Sequence, residues 1–264
     1  MSAAALAWRR LAPTRAGLVY ERNAIFYRRV WRVIFSGFFE PVFYLFAVGI
    51  GIGKLVGALD VDGRQVEYAS FVAPALLAAS SMNGAVADST FNVFEKLRWS
   101  GAYETMLATP IAPRDIAFGE IAWSQTRGLI YSVGFLVVAT VFGLVESWTA
   151  ILALPAAMLL GFAFAGMGMA ATTFMRTWQD FDYVNLVTLP LFLFSATFYP
   201  IDVYPDWLQQ AALVSPLYHG VVLIRGAMLG TWDVAMIGHA VVLVALAAAG
   251  LAVAARRIER LLVI

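Results

Sequence analysis

The chain has 264 residues, of which 61% are hydrophobic and 13% are charged, and its formal net charge is +1. A water-soluble domain carries about a quarter charged residues, so this composition excludes an ordinary soluble domain. Uncharged runs of about eighteen residues recur, which is the length a helix needs to cross a hydrocarbon core of roughly 30 Å. Cysteine is absent, which excludes disulfide bonds and thiolate metal ligands. We therefore predict an all-α polytopic membrane protein.

Residues 14–32 are predicted to form an amphipathic helix with an arginine-rich face. On a helical wheel Val19, Tyr20, Phe26 and Tyr27 share one arc, and the opposite arc holds Arg15, Arg22, Arg28 and Arg29. Basic residues opposite aromatic ones are typical of a helix lying in the membrane interface. The alternative is that these arginines only orient the protein.

Six transmembrane spans are predicted, at residues 33–53, 68–87, 117–144, 149–173, 183–201 and 234–255. Glu40, in the first span, is expected near its cytoplasmic end or facing protein, because a carboxylate facing lipid is costly. Arg127 lies in the third span, so either the membrane entry is near it or its side chain snorkels back to the interface. The fourth span has a surface of small residues suited to close helix packing: Gly161, Ala165, Gly166 and Gly168.

The segment 91–120, between the second and third spans, carries charge in a helical pattern. Phe91, Phe94 and Leu97 recur at helical spacing opposite Glu95, Lys96 and Arg98, which predicts a short amphipathic helix at residues 92–99. Gly101 ends it, and residues 102–108 follow before Thr109-Pro110. Such a helix between two spans indicates a surface for a partner. The alternative is a solvated charged loop.

Residues 199–233 are too polar and too rich in proline to cross a membrane. Ser215 and Pro216 form a helix-start signal and Gly230 a stop signal, so residues 216–229 are predicted to form a short helix at or dipping into the surface. With both termini in the cytoplasm, fourteen lysines and arginines lie on that side and three lie outside: Lys54, Arg64 and Arg225. The positive-inside rule therefore predicts that both termini and the segment 91–120 are cytoplasmic.

The chain contains no nucleotide-binding loop and no recognisable catalytic motif. The run from Gly49 to Lys54 lacks both the first glycine of that loop and the Ser or Thr after its lysine. His219 and His239 are distant from each other and from carboxylates in the sequence, so each is expected to pack between helices rather than bind metal. We expect no catalytic and no metal-binding residues, and an energy source in another chain.

The order and spacing of several short motifs resemble ABC-2 type transporter permeases. The first group is Phe94-Glu95-Lys96, Gly101-Ala102-Tyr103-Glu104, Thr109-Pro110 and Gly119-Glu120. A second group, at residues 195–200, 215–219 and 223–225, is similar to the nodulation protein J branch and to the membrane subunits of daunorubicin-type exporters. The resemblance covers almost the whole chain, including the basic first helix.

This resemblance implies a homodimeric permease that binds two copies of a separate ATPase subunit. ATP and Mg²⁺ would be held by that partner, so the chain itself would need no cofactor, would not be an enzyme and would bind no nucleic acid. The segment 92–99 corresponds to the family's coupling helix, and the implied ATPase-coupling residues are Phe94, Glu95, Lys96, Leu97, Arg98, Gly101, Tyr103 and Glu104. Residues 14–32 correspond to its interfacial helix, and residues 207–229 to its extracellular re-entrant helices.

The resemblance also implies a cargo route along the dimer seam, framed by the first and fifth spans. Aromatic side chains suggested as its lining are Tyr44, Phe192, Phe194, Phe198 and Tyr199. The implied location is the bacterial plasma membrane, in contact with its lipids. The implied cargo is amphipathic: a lipid-linked saccharide, a glycolipid or a hydrophobic drug, whose export would confer antibiotic resistance.

Two other classes of protein remain open from the residues. An integral membrane enzyme acting on lipids would need polar groups clustered at one membrane face, and the nearest candidate is Asp180 and Asp182 beside Arg176. A stand-alone channel or secondary carrier would move its substrate without ATP.

Overall fold

The structure is a computed structural model that describes residues 15–30, 39–61 and 63–262. The beginning of the predicted first span and the side chain of Glu40 lie outside the described residues. Helix α1 is Ala16–Arg29. Helix α2 has three consecutive segments, Phe39–Tyr44, the π-helical Leu45–Ile52 and Gly53–Val56. An antiparallel hairpin follows, with β1 at Ala58–Val61 and β2 at Arg64–Glu67.

Helix α3 is continuous over Tyr68–Trp99, with π-helical turns at Asp88–Asn92 and Glu95–Trp99. The predicted separate helix at residues 92–99 is therefore wrong in one respect, because it is the last part of α3. The remaining helices are α4 (Ala102–Leu107), α5 (Pro113–Val141), α6 (Trp148–Thr172), α7 (Phe181–Phe194), α8 (Asp206–Val214), α9 (Pro216–Leu229) and α10 (Ala235–Leu262).

Among the described helices, α3, α6 and α10 are each long and apolar enough to cross a membrane. The pair α8–α9, bent by 85°, has the form of a broken span or a re-entrant loop. The six-span arrangement stays a prediction. Helix α7 ends at Phe194 rather than at residue 201, and Ala196 adopts a left-handed backbone with φ 55°.

Helix α6 lies at the centre of the fold, and its small residues allow two neighbours to approach. A Cβ on Gly250 of α10 would lie 2.6 Å from the backbone of Gly166, so the two helices are in backbone contact there. A Cβ on Gly161 would lie 3.1 Å from Ser81 Oγ of α3. The predicted small-residue packing surface of this span is therefore confirmed.

The local start and stop signals read from the sequence are also confirmed. Ser215 Oγ accepts the backbone N–H of Tyr218 at the start of α9, and Gly230 ends that helix at φ 73°. The start of α5 is built in a similar way, with Pro113 in the first turn and Asp115 Oδ2 accepting the backbone N–H of Ala112 at 3.0 Å. These contacts satisfy backbone groups that a helix end leaves unpaired.

The connecting segments gather at two opposite ends of the helix bundle. At one end, Arg64 of the hairpin pairs with Glu146 at 2.5 Å and donates to the backbone oxygen of Leu229 at 3.3 Å. At the other end, Arg15 donates to the backbone oxygen of Pro110, and Arg257 donates to the backbone oxygen of Thr173. This second end holds α4 and the basic ends of α1 and α10.

Helix α1 packs directly against the first half of α5, and Gly119 makes this contact possible. A Cβ at Gly119 would lie 2.6 Å from the Cβ of Val19 and 2.7 Å from the backbone oxygen of Ala16. Any larger residue would push α1 away from α5. Gly119 therefore determines how closely α1 approaches the bundle.

We expect Gly119→Ala to lower the free energy of unfolding by about 1–3 kcal/mol, the usual cost of overpacking. The matched control is Gly128→Ala on the same helix, whose added Cβ would meet no atom within 4 Å. That variant should be neutral or more stable by up to about 1 kcal/mol, since alanine favours helix. Thermal unfolding of both purified variants measures the difference, and equal stabilities would contradict the role given to Gly119.

Candidate functional site

Polar side chains from three helices meet where the end of α3 crosses α1 and α5. We call this region the three-helix junction, and it consists of Asn23 and Tyr27 of α1, Asp88, Asn92 and Lys96 of α3, and Glu120 and Arg127 of α5. The α3 members are spaced four residues apart and the α1 members likewise, so each set lies on one helix face. Within the junction, two ion pairs follow one another along α3.

The first ion pair joins Lys96 to Glu120. Lys96 Nζ lies 2.8 Å and 2.7 Å from the two carboxylate oxygens of Glu120, and it also donates to Asn23 Oδ1 at 3.1 Å. Asn23 Nδ2 in turn donates to Glu120 at 2.9 Å. The side chains of Lys96 and Glu120 are 13% and 6% exposed. Lys96 therefore forms a largely buried ion pair within the chain, and its ammonium group is not exposed for contact with a partner.

The second ion pair joins Arg127 to Asp88. Arg127 Nη1 lies 2.6 Å from Asp88 Oδ1 and donates to the Tyr27 hydroxyl at 2.9 Å. Asn92 Nδ2 donates to the same Asp88 oxygen at 2.9 Å and to the Tyr27 hydroxyl at 3.2 Å. The guanidinium is turned towards protein groups, and the predicted snorkelling of Arg127 stays a prediction. Its entry-point alternative stays a prediction.

Beyond the junction, α3 ends in an apex, which we define as residues 98–105 and which is exposed apart from the buried Tyr103 and the partly buried Gly101 and Ala102. Arg98 and Trp99 are exposed, the latter at 74%, and Gly101 reverses the chain at φ 62°. Glu104 and Thr105 are the exposed residues of α4. Such a turn at positive φ favours glycine because it has no Cβ.

The residues predicted to couple to a partner fall into two sets. Arg98, Gly101 and Glu104 belong to the apex, and Glu95 is half-buried beside it. Phe94, Leu97 and Tyr103 are buried and fix the position of the apex, as does Lys96 through its ion pair. Burial, and next the Glu120 carboxylate, raise the pKa of Tyr103 well above its ordinary value, so this phenol stays protonated.

An aromatic cluster fastens the segment before α7 to the apex. Trp178 lies 5.0 Å from Phe94 and 6.3 Å from Trp99 between ring centroids, and Phe181 stacks on Phe91 at 4.0 Å. Sequence reasoning missed the contribution of Trp178 and Phe181. An aromatic pair flanking a charged turn was the available signal, but nothing in the sequence joins it to residues about eighty positions earlier.

The helix predicted at residues 14–32 is present as α1, with a different division of its faces, and its place in the membrane interface stays a prediction. Arg15, Arg22, Arg28 and Arg29 are exposed, as predicted for the polar face. Val19 and Tyr27 of the apolar arc pack inward, whereas Phe26 is exposed. The inward face also contains Asn23, which sequence reasoning missed because a lone asparagine carries no pattern.

Four of the five aromatic residues suggested for the cargo route form a chain of ring contacts. Tyr44 contacts Phe192 at 6.0 Å, Phe192 contacts Phe198 at 5.2 Å, and Phe198 contacts Tyr199 at 6.5 Å between centroids. Phe194 is exposed and has no ring contact in the described part of the chain. The structure thus brings α2 and the region around the end of α7 together, and the cargo role stays a prediction.

The two histidines, distant in the sequence, are in contact. His219 Nδ1 of α9 lies 2.6 Å from His239 Nδ1 of α10, which makes a hydrogen bond between the rings. Across the residues that the structure describes, no group of three His, Cys, Asp or Glu side chains could hold a metal ion. The pair therefore joins α9 to α10, in line with the packing role expected of each histidine.

Asp180, which with Asp182 and Arg176 was the candidate polar cluster of a membrane enzyme, has a structural role in its own loop. Asp180 Oδ2 accepts the backbone N–H groups of Arg176 and Thr177 at 2.6 and 3.0 Å. These two bonds hold the pKa of Asp180 below its ordinary value. An exposed carboxylate used in this way closes a loop and is poorly suited to proton transfer.

Comparison with known proteins identifies the family of the chain. The family model described as ABC-2 type transporter matches residues 15–229, from α1 to the end of α9. The chain is 34% identical over 215 residues to nodulation protein J of Rhizobium leguminosarum bv. viciae, covering 80% of this chain and 81% of that protein. It is 31% identical over 215 residues to nodulation protein J of Rhizobium meliloti (strain 1021), covering 81% and 80%. It is 25% identical over 214 residues to the inner membrane transport permease YadH of Escherichia coli (strain K12), covering 79% and 82%.

For the junction, we expect Lys96→Met to lower the free energy of unfolding by about 3 kcal/mol, because Glu120 is left buried without its cation. The exchange of both residues, Lys96→Glu with Glu120→Lys, should recover a large part of that loss. Lys54→Met is the matched control, since Lys54 is exposed. Thermal unfolding in detergent measures the cycle, and equal losses for Lys96→Met and Lys54→Met would contradict the pairing.

Proposed function

The chain belongs to the ABC-2 type transporter family and is a transport permease, and from this premise we propose that it is the membrane subunit of an ATP-driven exporter. A separate ATPase subunit supplies the energy, two copies of it serve a homodimer of this chain, and ATP and Mg²⁺ lie in that partner. The cargo is amphipathic. The location is the bacterial plasma membrane, with both termini in the cytoplasm.

The observation that carries this proposal is the exposed apex at the end of a continuous 32-residue α3. Arg98, Trp99 and Glu104 give it charge of both signs and a large exposed aromatic side chain, a composition suited to a protein interface. The sequence contains no nucleotide-binding loop of its own, so a force applied by ATP hydrolysis must come from outside the chain.

The junction supports a mechanism for transmitting that force. Both ion pairs join α3 to α5, and Asn23 and Tyr27 join α1 to the same pairs. A push on the apex therefore acts on three helices together rather than bending the end of α3 alone. In the proposed cycle, closure of the ATPase dimer moves these helices and opens the seam between two copies, framed by α2 and α7.

The arrangement of α7 supports a second copy at this seam. Leu186 and Leu189 of α7 are 69% and 58% exposed. In a membrane such a helix faces lipid or another protein. The aromatic chain from Tyr44 to Tyr199 lies beside it, which is the position proposed for the cargo route.

The first test is purification of the tagged chain from its native membrane in mild detergent. We expect an ATPase subunit with a nucleotide-binding loop to copurify at equal stoichiometry and its activity to depend on the permease. Substrate flux in liposomes that contain this chain alone, without ATP, would contradict the proposal and favour a carrier.

The second test reverses charge at the apex, with Arg98→Glu and Glu104→Lys together. We expect the permease-dependent ATPase activity to fall about tenfold, as for loss of interfacial contacts worth roughly 1.4 kcal/mol in total. Lys96 is left intact, because reversing it would break the junction. The matched control is the reversal Arg256→Glu with Glu259→Lys on exposed positions of α10, and an equal loss in that control would contradict a specific role for the apex.

The third test places single cysteines in this cysteine-free chain. Ser100→Cys lies in the apex and Gln65→Cys in the hairpin, and both positions are exposed. A membrane-impermeant maleimide should label Gln65→Cys in intact cells and Ser100→Cys only after lysis. Labelling of Ser100→Cys in intact cells would contradict the proposed topology.

A further inference from the structure

Helix α7 stands between two adjoining cavities of opposite character. The larger, of about 1030 Å³, lies between α6 and α7 and extends from the Arg176–Asp180 loop to the start of α9. Its wall along the two helices is almost entirely apolar and includes Phe164, Met167, Ala171, Val184, Val187 and Leu191. Both its size and its apolar lining are typical of sites for small molecules.

The smaller cavity, of about 430 Å³, lies between α2, α3, α5 and α7. Polar and aromatic groups from all four helices line it: Tyr44, Ser80, Asn83, Arg127, Tyr131 and Asn185. Val86, Thr90, Val184 and Thr188 line both cavities, so the polar space opens beside the apolar one.

Some polar groups of the smaller cavity are left without protein partners, although Arg127 donates to Asp88 and to the Tyr131 hydroxyl. The amides of Asn83 and Asn185 are exposed in the single chain, form no hydrogen bond in the described residues, and lie in predicted spans. Arg127 Nε is buried and also lacks a partner. Unpaired polar groups within a membrane are costly and are typically retained for function.

The charge balance of the smaller cavity indicates which kind of ligand group could form hydrogen bonds with these polar side chains. Arg127 is the one charged residue in its described lining, and its charge is already balanced by Asp88 at 2.6 Å. A phosphate or another anion would need an unpaired cation. Hydroxyl groups, which both donate and accept, match amides, hydroxyls and a single guanidinium N–H without a net charge.

We propose that the two cavities form one site for an amphipathic ligand, with its apolar chain between α6 and α7 and an uncharged, hydroxyl-rich head such as a sugar against Asn83 and Asn185. This inference rests on the proposed function, since an amphipathic cargo is what that function moves. It places the cargo within one copy of the chain, on the inner side of α7, before it reaches the seam. Arg127 then contacts both the ligand and the three-helix junction.

The test uses the full chain in phosphatidylcholine nanodiscs and a dodecyl maltoside whose alkyl chain carries a diazirine. We expect saturable photolabelling of residues 167–171 or 184–191. Asn83→Leu with Asn185→Leu should weaken binding about tenfold, because two hydrogen bonds to the head are lost. Ala171→Trp should reduce labelling, because the indole occupies part of the apolar cavity.

The matched control is Ala252→Trp, the same substitution at an exposed position of α10 that lines neither cavity, and it should leave labelling unchanged. A dodecyl phosphocholine with the same diazirine should label without saturation and without dependence on Asn83 and Asn185. Equal behaviour of the two probes would show that bulk lipid fills the cleft and would overturn the proposal. Labelling lost on dimerisation would show that a second copy fills it, with the same consequence.

This experiment contains no ATPase, so its outcome is separate from that of the permease assignment. Failure of labelling together with copurification of an ATPase would overturn the ligand site alone. Saturable labelling together with the failure of any ATPase to copurify would support the ligand site and overturn the proposal that a separate ATPase supplies the energy.

Discussion

Two stacked ion pairs between α3 and α5 are the constraint on which the rest of the structure depends. Asp88 and Lys96 are eight residues apart on α3, and their partners Arg127 and Glu120 are seven apart on α5. These separations correspond to roughly 12 and 10 Å, so two antiparallel helices satisfy both pairs in one register only. Neither pair is worth much in net stability, because each has lost its hydration, but a broken pair is costly. Together they determine register and orientation, and α1 is held to the same groups.

This constraint divides the molecule into a rigid part and a loosely packed part. The rigid part contains α1, α3 and α5 through the junction, and α6 and α10 through backbone contact at Gly166 and Gly250. Helix α7 is outside this unit and is fastened mainly at its ends, by the Trp178–Phe181 cluster and by the Ser195–Ser215 hydrogen bond of 2.6 Å. Both cavities border α7. Helix α7 is therefore the less tightly packed wall of both cavities.

Arg127 joins the parts of the proposed mechanism. Its guanidinium pairs with Asp88, lies 4.6 Å from the Tyr27 ring centroid, and borders the polar cavity. The same side chain therefore contacts the helix that ends in the apex, the basic helix α1 and the space proposed for the ligand head. In a low-dielectric setting a change at one of these contacts alters the others, because the charge cannot be screened by water.

The sequence by itself determined the class of the protein, the start and end of α9, and the family. Apolar periodicity, Gly101, Ser215-Pro216 and Gly230 act over a few residues, and their local physics does not depend on the fold. The sequence could not show that α3 continues to Trp99, since the charged pattern at residues 92–99 also suits a separate helix. It could not pair Lys96 with Glu120, Arg127 with Asp88, or His219 with His239, because each pairing depends on which helix faces cross. The tertiary structure alone decided that Lys96 lies inside while Arg98 lies outside. It also decided that unpaired amides from α3 and α7 share one cavity. Burial and charge pairing arise from the packing of the helices and cannot be read from the order of residues along the chain.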